Sequence, residues 1–205
     1  MPMLVSSTSS IHSAGIYSLD YREHRILTAS KDSRTVFCSL ATDGTISAIR
    51  SFDAHHHGHV IKCVRSRDQH VFADCGNSSS VCVFDLRQPA SEPVLRIEEP
   101  HGRGTVNVLE WHPTNEHLVL TTGRNVAIAL HDLRRPTEAP TRELLGHIPS
   151  NLASTKSIYR PLFLDRGRAI VSPGERYVCS TPLLPSNANQ LTSRTRSFEW
   201  KDRSS

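Results

Sequence analysis

Apolar and polar positions alternate in short runs along most of the chain, and no segment sustains a 3.6-residue period. Ile16 and Leu19 mark one run, Val60, Ile61 and Val64 another, and Val106, Val108 and Trp111 a third. A polar turn follows each, and then a second run: RILTAS from Arg25, HVFADC from His70 and HLVLTT from His117. A loop of small polar residues leads to a third run: TVFCSL from Thr35, VCVFDL from Val81 and AIALHDL from Ala127. Val, Ile, Phe and Thr suit a pleated, half-buried surface. Asp, Asn, Gly, Ser and Pro fill the turns between them. The pattern predicts an all-β chain with three or four strands to a unit.

The units end near Leu40, Asp85 and Asp132, so they repeat every 45 and 47 residues. A fourth begins at Leu145-Gly146-His147, carries the insert IPSNLASTKS, and continues with IYRPLFL and RAIVSP as its first two strands. The predicted organisation is a flexible N terminus over 1–10, four units at about 11–50, 51–97, 98–142 and 143–182, and a disordered basic tail over 183–205. That tail has no periodicity.

These units resemble the WD repeat of β-propellers, a likeness that covers roughly Ile11 to Ser172. A His-containing turn precedes each first strand: His12, then His56 or His59, then His101, then Gly146-His147. A polar residue sits before the third strand at Asp32, at Asn77, and at Arg124 or Asn125. The strand-end Trp-Asp position holds Phe84-Asp85 and His131-Asp132, and in the first unit Ser39-Leu40, so the Trp is absent throughout. The resemblance implies a hydrogen-bonded network that staples each blade. His12, Thr28 or Ser30, Asp32, His101 and His147 are its expected members, and their expected role is structural.

Two units end alike, in VCVFDLR to Arg87 and AIALHDLR to Arg134. They resemble the DWD box of WD proteins that serve as substrate receptors on the propeller adaptor of cullin-4 ubiquitin ligases. The departures are the missing Trp, Asp74 at a small-residue position, and Ser78 and Asn125 where the box has an acid. The resemblance implies partner binding through Arg87 and Arg134, with Asp85 and Asp132 beside them. An exposed guanidinium offers a planar five-donor fork to an acidic partner.

Composition narrows the function classes. Of 205 residues, 37% are hydrophobic and 21% charged, as in a soluble globular protein. No run approaches the roughly 20 apolar residues of a spanning helix. The opening MPMLVSSTSSIHS has neither a basic nor an apolar segment of a secretory leader. Five cysteines without a CxxC pair suit a reducing compartment, cytoplasmic or nuclear. A net charge of +4 does not announce nucleic-acid binding, although Arg194, Arg196, Lys201 and Arg203 around Phe198 and Trp200 form a basic tail. The cluster from His55 to His59 is dense enough to suggest zinc, but lacks further ligands at zinc spacing. A solvated inter-blade loop is expected there, with no metal. The Asn77-Ser78-Ser79 sequon is read as the loop Asp position occupied by Asn, and Trp111 as a packing residue. No GxSxG, P-loop, GxGxxG or HExxH occurs, so neither catalysis nor a cofactor is expected.

The expectation is therefore a non-catalytic interaction scaffold that binds other proteins, in its sharper form a cullin-4 receptor. The alternatives are an RNA-associated WD protein using its basic tail, or a non-functional truncated isoform. Four units leave a propeller open, since closed propellers have about four to eight blades and WD types commonly about seven. The chain is thus expected to be incomplete, or completed by another copy through its open blade edges.

Overall fold

The computed structural model describes residues 11–55, 58–123, 128–144, 160–173, 177–183 and 196–199. Their strands form four antiparallel sheets of four strands each, every one a meander in chain order. The first blade holds β1 (Ile16–Arg22), β2 (Arg25–Ser30), β3 (Thr35–Leu40) and β4 (Ile46–Phe52). The second holds β5 (Ile61–Ser66), β6 (Val71–Gly76), β7 (Ser80–Asp85) and β8 (Leu95–Glu98). A short strand β9 (Pro100–Arg103) leads to the third, made of β10 (Val106–Trp111), β11 (Leu118–Gly123), β12 (Ile128–Asp132) and β13 (Arg142–Leu144). The fourth holds β14 (Leu162–Leu164), β15 (Ala169–Pro173), β16 (Tyr177–Pro182) and β17 (Arg196–Glu199).

The last strand departs from the sequence reading, which leaves 183–205 without structure. β17 lies in that segment and pairs with β16, Tyr177 opposite Glu199 and Ser180 opposite Arg196. Four residues are too few to show a period, so its strand state comes from its partner rather than from its own pattern. Each blade accordingly has four strands, and the fourth blade reaches residue 199.

The meander sorts the loops. Successive strands reverse direction, so the first and third turns of a blade share one end. The second turn and the link between blades share the other. The first strands of the first three blades also carry the same β-bulge. Pairing slips between Ile16 and Ser18, between Ile61 and Cys63, and between Val106 and Val108. The extra residues are Tyr17, Lys62 and Asn107. Lys62 Nζ donates to Asn107 Oδ1 at 3.0 Å, linking the second and third blades.

Other contacts repeat along the inner strands. The Val64 N–H donates to Ser18 Oγ at 3.3 Å and the Ser66 N–H to Asp20 Oδ2 at 2.8 Å. Arg65 Nε donates to Glu110 Oε2 at 3.4 Å, and Trp111 Nε1 to the Arg65 carbonyl at 2.9 Å. By register, Asp20, Arg65 and Glu110 occupy one position in three successive blades. The third and fourth blades meet through His112 against Phe163, with ring centroids 4.9 Å apart, and through Thr114 Oγ1 donating to the Arg166 carbonyl at 3.2 Å.

Apolar cores fill the spaces between blades. Leu27, Ala29 and Phe52 of the first pack on Val64, Phe72 and Phe84 of the second. Ala73, Cys75 and Val83 of the second pack on Val108, Leu109 and Trp111 of the third. Leu120, Ile128 and Leu130 of the third pack on Ile170 of the fourth. Phe84 occupies a strand-end Trp position and belongs to an aromatic trio. Phe72 and Phe84 stack at 4.8 Å, and Phe52 meets them edge-on at 5.0 and 5.1 Å. All three are buried. Phe72→Ala is therefore expected to cost about 3–5 kcal/mol, because the surrounding sheets cannot collapse into the void. Urea unfolding followed by circular dichroism measures it, and a loss under about 1 kcal/mol would argue against this packing.

Candidate functional site

The two ends of the blades carry different chemistry. At the end of the second turns, buried histidines bind the sheets together. In the first blade the buried His12 Nδ1 donates to both Asp32 carboxylate oxygens at 3.1 Å. Its Nε2 shares a hydrogen bond with Thr28 Oγ1 at 2.8 Å. Ser30, the other candidate for the Thr28 place, bonds instead to the Ala14 and Gly15 carbonyls. Asp32 also accepts from the Ser13 and Arg34 amides and from Arg34 Nη2 at 2.9 Å. Burial tends to raise its pKa, but these hydrogen bonds prevail and hold it well below the usual carboxylate range.

The second blade builds the same junction from other residues. His55 is the buried imidazole. This corrects the expectation of a solvated loop with His56 or His59 in the turn role. His56 lies outside the described residues, and His59 is only half-buried. His55 Nε2 donates to Asp74 Oδ1 at 2.8 Å, and its Nδ1 shares a hydrogen bond with Ser78 Oγ at 2.5 Å. Asp74 therefore stands where Thr28 stands, and Ser78 rather than Asn77 stands where Asp32 stands. Thr35 of the first blade closes the junction, its Oγ1 donating to Asp74 Oδ2 at 2.6 Å.

In the third blade His101 Nε2 and Thr121 Oγ1 are 2.9 Å apart, and Thr121 Oγ1 lies 3.1 Å from His131 Nε2. His131 occupies the strand-end Trp position, so an imidazole reaches the hydroxyl there. Gly123 lies against the His101 ring, where an added Cβ would collide with it. His147, expected in the fourth blade, lies outside the described residues. Ser172 holds the register position of Thr28 and Thr121, and it is buried.

His55, Asp74 and Cys82 bring one imidazole nitrogen, one carboxylate oxygen and one sulfur within 4.8 Å of one another, all buried. The polar atoms are engaged inside the protein. Asp74 is held by His55 and Thr35, and Arg96 Nη1 donates to Cys82 Sγ at 3.2 Å. The arrangement is that of a desolvated ion pair.

At the opposite end, Asp85 and Arg87 form a closed unit after β7. The Arg87 amide donates to Asp85 Oδ1 at 3.0 Å, its Nε to the same oxygen at 2.9 Å and its Nη2 to Oδ2 at 2.6 Å. Asp132 and Arg134 repeat this after β12, at 3.0, 2.9 and 2.5 Å. Each arginine pulls its carboxyl down to about 2. Both arginine side chains remain 62% exposed while their carboxylates are largely covered. The fork is thus oriented by its own Asp and still faces solvent. Arg50 of the first blade donates to the Gln88 carbonyl at 2.7 Å and to the Ala90 carbonyl, pinning the loop that follows Arg87.

The histidine junctions set a pH dependence. Burial alone would lower the His55 pKa, but the Asp74 carboxylate, with Cys82, overrides it and pushes the imidazole up to about 10. A value raised above the ordinary 6.5 means the contribution is full below about pH 6.5 and is lost as pH climbs towards 10. His131 has the opposite sign. Burial and the neighbouring His101 lower it to about 4, so its contribution is lost as pH falls from 6.5 towards 4. Urea midpoints of the wild-type chain are expected to decline between pH 6.5 and 10 through His55. Asp74→Asn should remove that slope, and His55→Ala should cost about 3–5 kcal/mol at pH 6. An Asp74→Asn profile parallel to wild type would contradict the pairing.

No protein-family model matches the chain. Among curated proteins it is 25% identical over 128 residues to WD-40 repeat-containing protein MSI3 of Arabidopsis thaliana, covering 60% of this chain and 29% of that protein. It is 33% identical over 98 residues to EARP-interacting protein 1 of Caenorhabditis elegans, covering 47% and 26%. It is 29% identical over 133 residues to histone acetyltransferase type B subunit 2 of Debaryomyces hansenii, covering 60% and 31%. The chain spans less than a third of the length of each of these relatives. In its repeat of about 45 residues, in the four meandering four-stranded sheets of its described residues and in these likenesses, the chain is similar to WD-repeat β-propeller proteins.

Proposed function

We propose that the chain is a non-catalytic protein-interaction scaffold that docks an acidic partner on the blade end carrying Arg87 and Arg134. The observation that carries this reading is the repetition of one geometry. Two successive blades hold a guanidinium on the same carboxylate, in the same turn, with the same exposure. Pre-orientation removes much of the ordering cost that a flexible side chain meets on binding. Arginine is also enriched among the residues that dominate binding energy at interfaces. Blade-end loops vary independently on a rigid frame, so such a surface binds without any reactive group.

The WD-repeat relatives support the scaffold role. One is named for a protein it interacts with and another as the subunit of an acetyltransferase. In its sharper form, the reading makes the partner the propeller adaptor of a cullin-4 ubiquitin ligase, with this chain as a substrate receptor in the cytoplasm or nucleus. The likeness of the two Asp-Leu-Arg endings to the DWD box supports it. No helix among the described residues is long and apolar enough to cross a membrane.

The test is capture of the purified adaptor by wild type, Arg87→Ala, Arg134→Ala and the double variant. The double variant is expected to lose 10-fold or more in affinity, about 1.4 kcal/mol or more. Arg87→Lys should lose most of what Arg87→Ala loses, because an ammonium cannot reproduce the fork. Capture undiminished in the double variant removes the arginines from the interface.

A further inference from the structure

The junction between the first and second blades and the junction between the second and third are built from the same register positions. In the later one, Trp111 shares an apolar cluster with Ala73, Val83, Val119 and Leu133 and donates its indole N–H to the Arg65 carbonyl of the second blade. Trp111 pairs with Val119 as Ser66 pairs with Phe72, so in the earlier junction Ser66 holds the place of the indole. Leu27 and Phe37 pair with each other there as Ala73 and Val83 do, and Leu86 follows Asp85 as Leu133 follows Asp132.

The exchange leaves a cleft. A serine does not fill the space of an indole, and the larger Leu27, Phe37 and Phe72 take back only part of it. In the Trp111 cluster Val83 and Leu133 are 4% and 8% exposed, whereas Phe37 and Leu86 are only half-buried. Leu27, Phe37, Ser66, Phe72 and Leu86 line a cleft of about 280 Å³, its open mouth included. The space between its walls is narrow, with room for about one water-sized body. It therefore admits the methyl end of a branched aliphatic side chain and not a second indole.

Charge at the cleft selects what accompanies that side chain. Arg22, which is exposed, and Arg25 line it from the first blade, and Arg25 reaches across to the Gln69 carbonyl of the second. Arg87 follows Leu86 directly, so the cleft lies at the blade end that carries the arginine forks. Asp68 also lines it, but its carboxylate is engaged by Arg67 Nε at 2.8 Å and by the His70 and Val71 amides at 2.7 and 2.9 Å. We infer that the cleft takes a branched aliphatic side chain of the partner, leucine or isoleucine, on a segment with acidic residues beside it. This rests on the proposed docking at Arg87 and Arg134, and it supplies the apolar anchor that two guanidinium groups lack. The aliphatic tip covers Phe37 and Leu86 as Trp111 covers its neighbours, and the flanking carboxylates meet the surrounding arginines.

Calorimetric titration of the full chain with two synthetic peptides tests it, one holding leucine between short runs of glutamate and the other alanine in that place. The leucine peptide is expected to bind about 10-fold more tightly, the effect of burying roughly two further methylene equivalents. Ser66→Trp fills the cleft as Trp111 fills the next junction, and with its circular dichroism unchanged it should bind both peptides alike. Equal affinity of wild type for the two peptides overturns the cleft, as does the binding of neither, and this comparison needs no variant. A folded Ser66→Trp chain that keeps the leucine preference overturns it too. Arg87→Ala should weaken both peptides by the same factor. If it weakens neither while the leucine preference holds, the cleft stands and the arginine docking falls.

Discussion

A sheet in this chain has two apolar faces, and that constraint governs the rest. All six residues of β6, from Val71 to Gly76, are buried, and in β7 only Asp85 at the end is not. Such strands cannot alternate between a core and water. Each blade needs a neighbour on either side, as repeat architectures do, and stability becomes a sum of blades and the contacts between them. The bulge repeated on the inner strands fits the same need. It recurs in the first three blades, and its extra residues in the second and third, Lys62 and Asn107, bond to each other.

Packing this tight leaves polar atoms inside, and the three junctions at the second-turn end show how they are satisfied. The chemistry differs while the positions do not. A neutral hydroxyl faces the imidazole in the first and third blades, and a carboxylate faces it in the second. The carboxylate brings a charge into the core, and it is tolerated because His55 and Thr35 engage both of its oxygens. Thr35 belongs to the neighbouring blade, so this junction fastens two sheets rather than one. In the third blade His131 does with an imidazole what an indole N–H would do from the same place.

The repeat period, the all-β class and the positions of most strands were legible in the sequence, because a period of two in Val, Ile and Phe reports a pleat directly. His12, Asp32 and His101 stand at turn and loop positions in the sequence, and hydrogen bonds join His12 to Asp32 and His101 to Thr121. Other features were not legible. His55, His56 and His57 are consecutive, and the link from His55 to Ile61 is longer than the links from His12 to Ile16 and from His101 to Val106. Spacing therefore could not choose among them. Asp74 was visible as an oddity in a strand of small residues, but its role depends on Thr35, 39 positions away. β17 escaped because its order comes from β16. The arginines after Asp85 and Asp132 were found as a motif, whereas the intramolecular fork that orients them is a property of the turn.

The row of Asp20, Arg65 and Glu110 carries a consequence for assembly order. These residues share one place on successive inner strands, and their charges run minus, plus, minus. Arg65 therefore meets an acid on either side. Were the second blade omitted, Asp20 would face Glu110 across the same gap, two carboxylates in a half-buried space. The alternating charges favour the second blade between the first and the third and disfavour the first against the third.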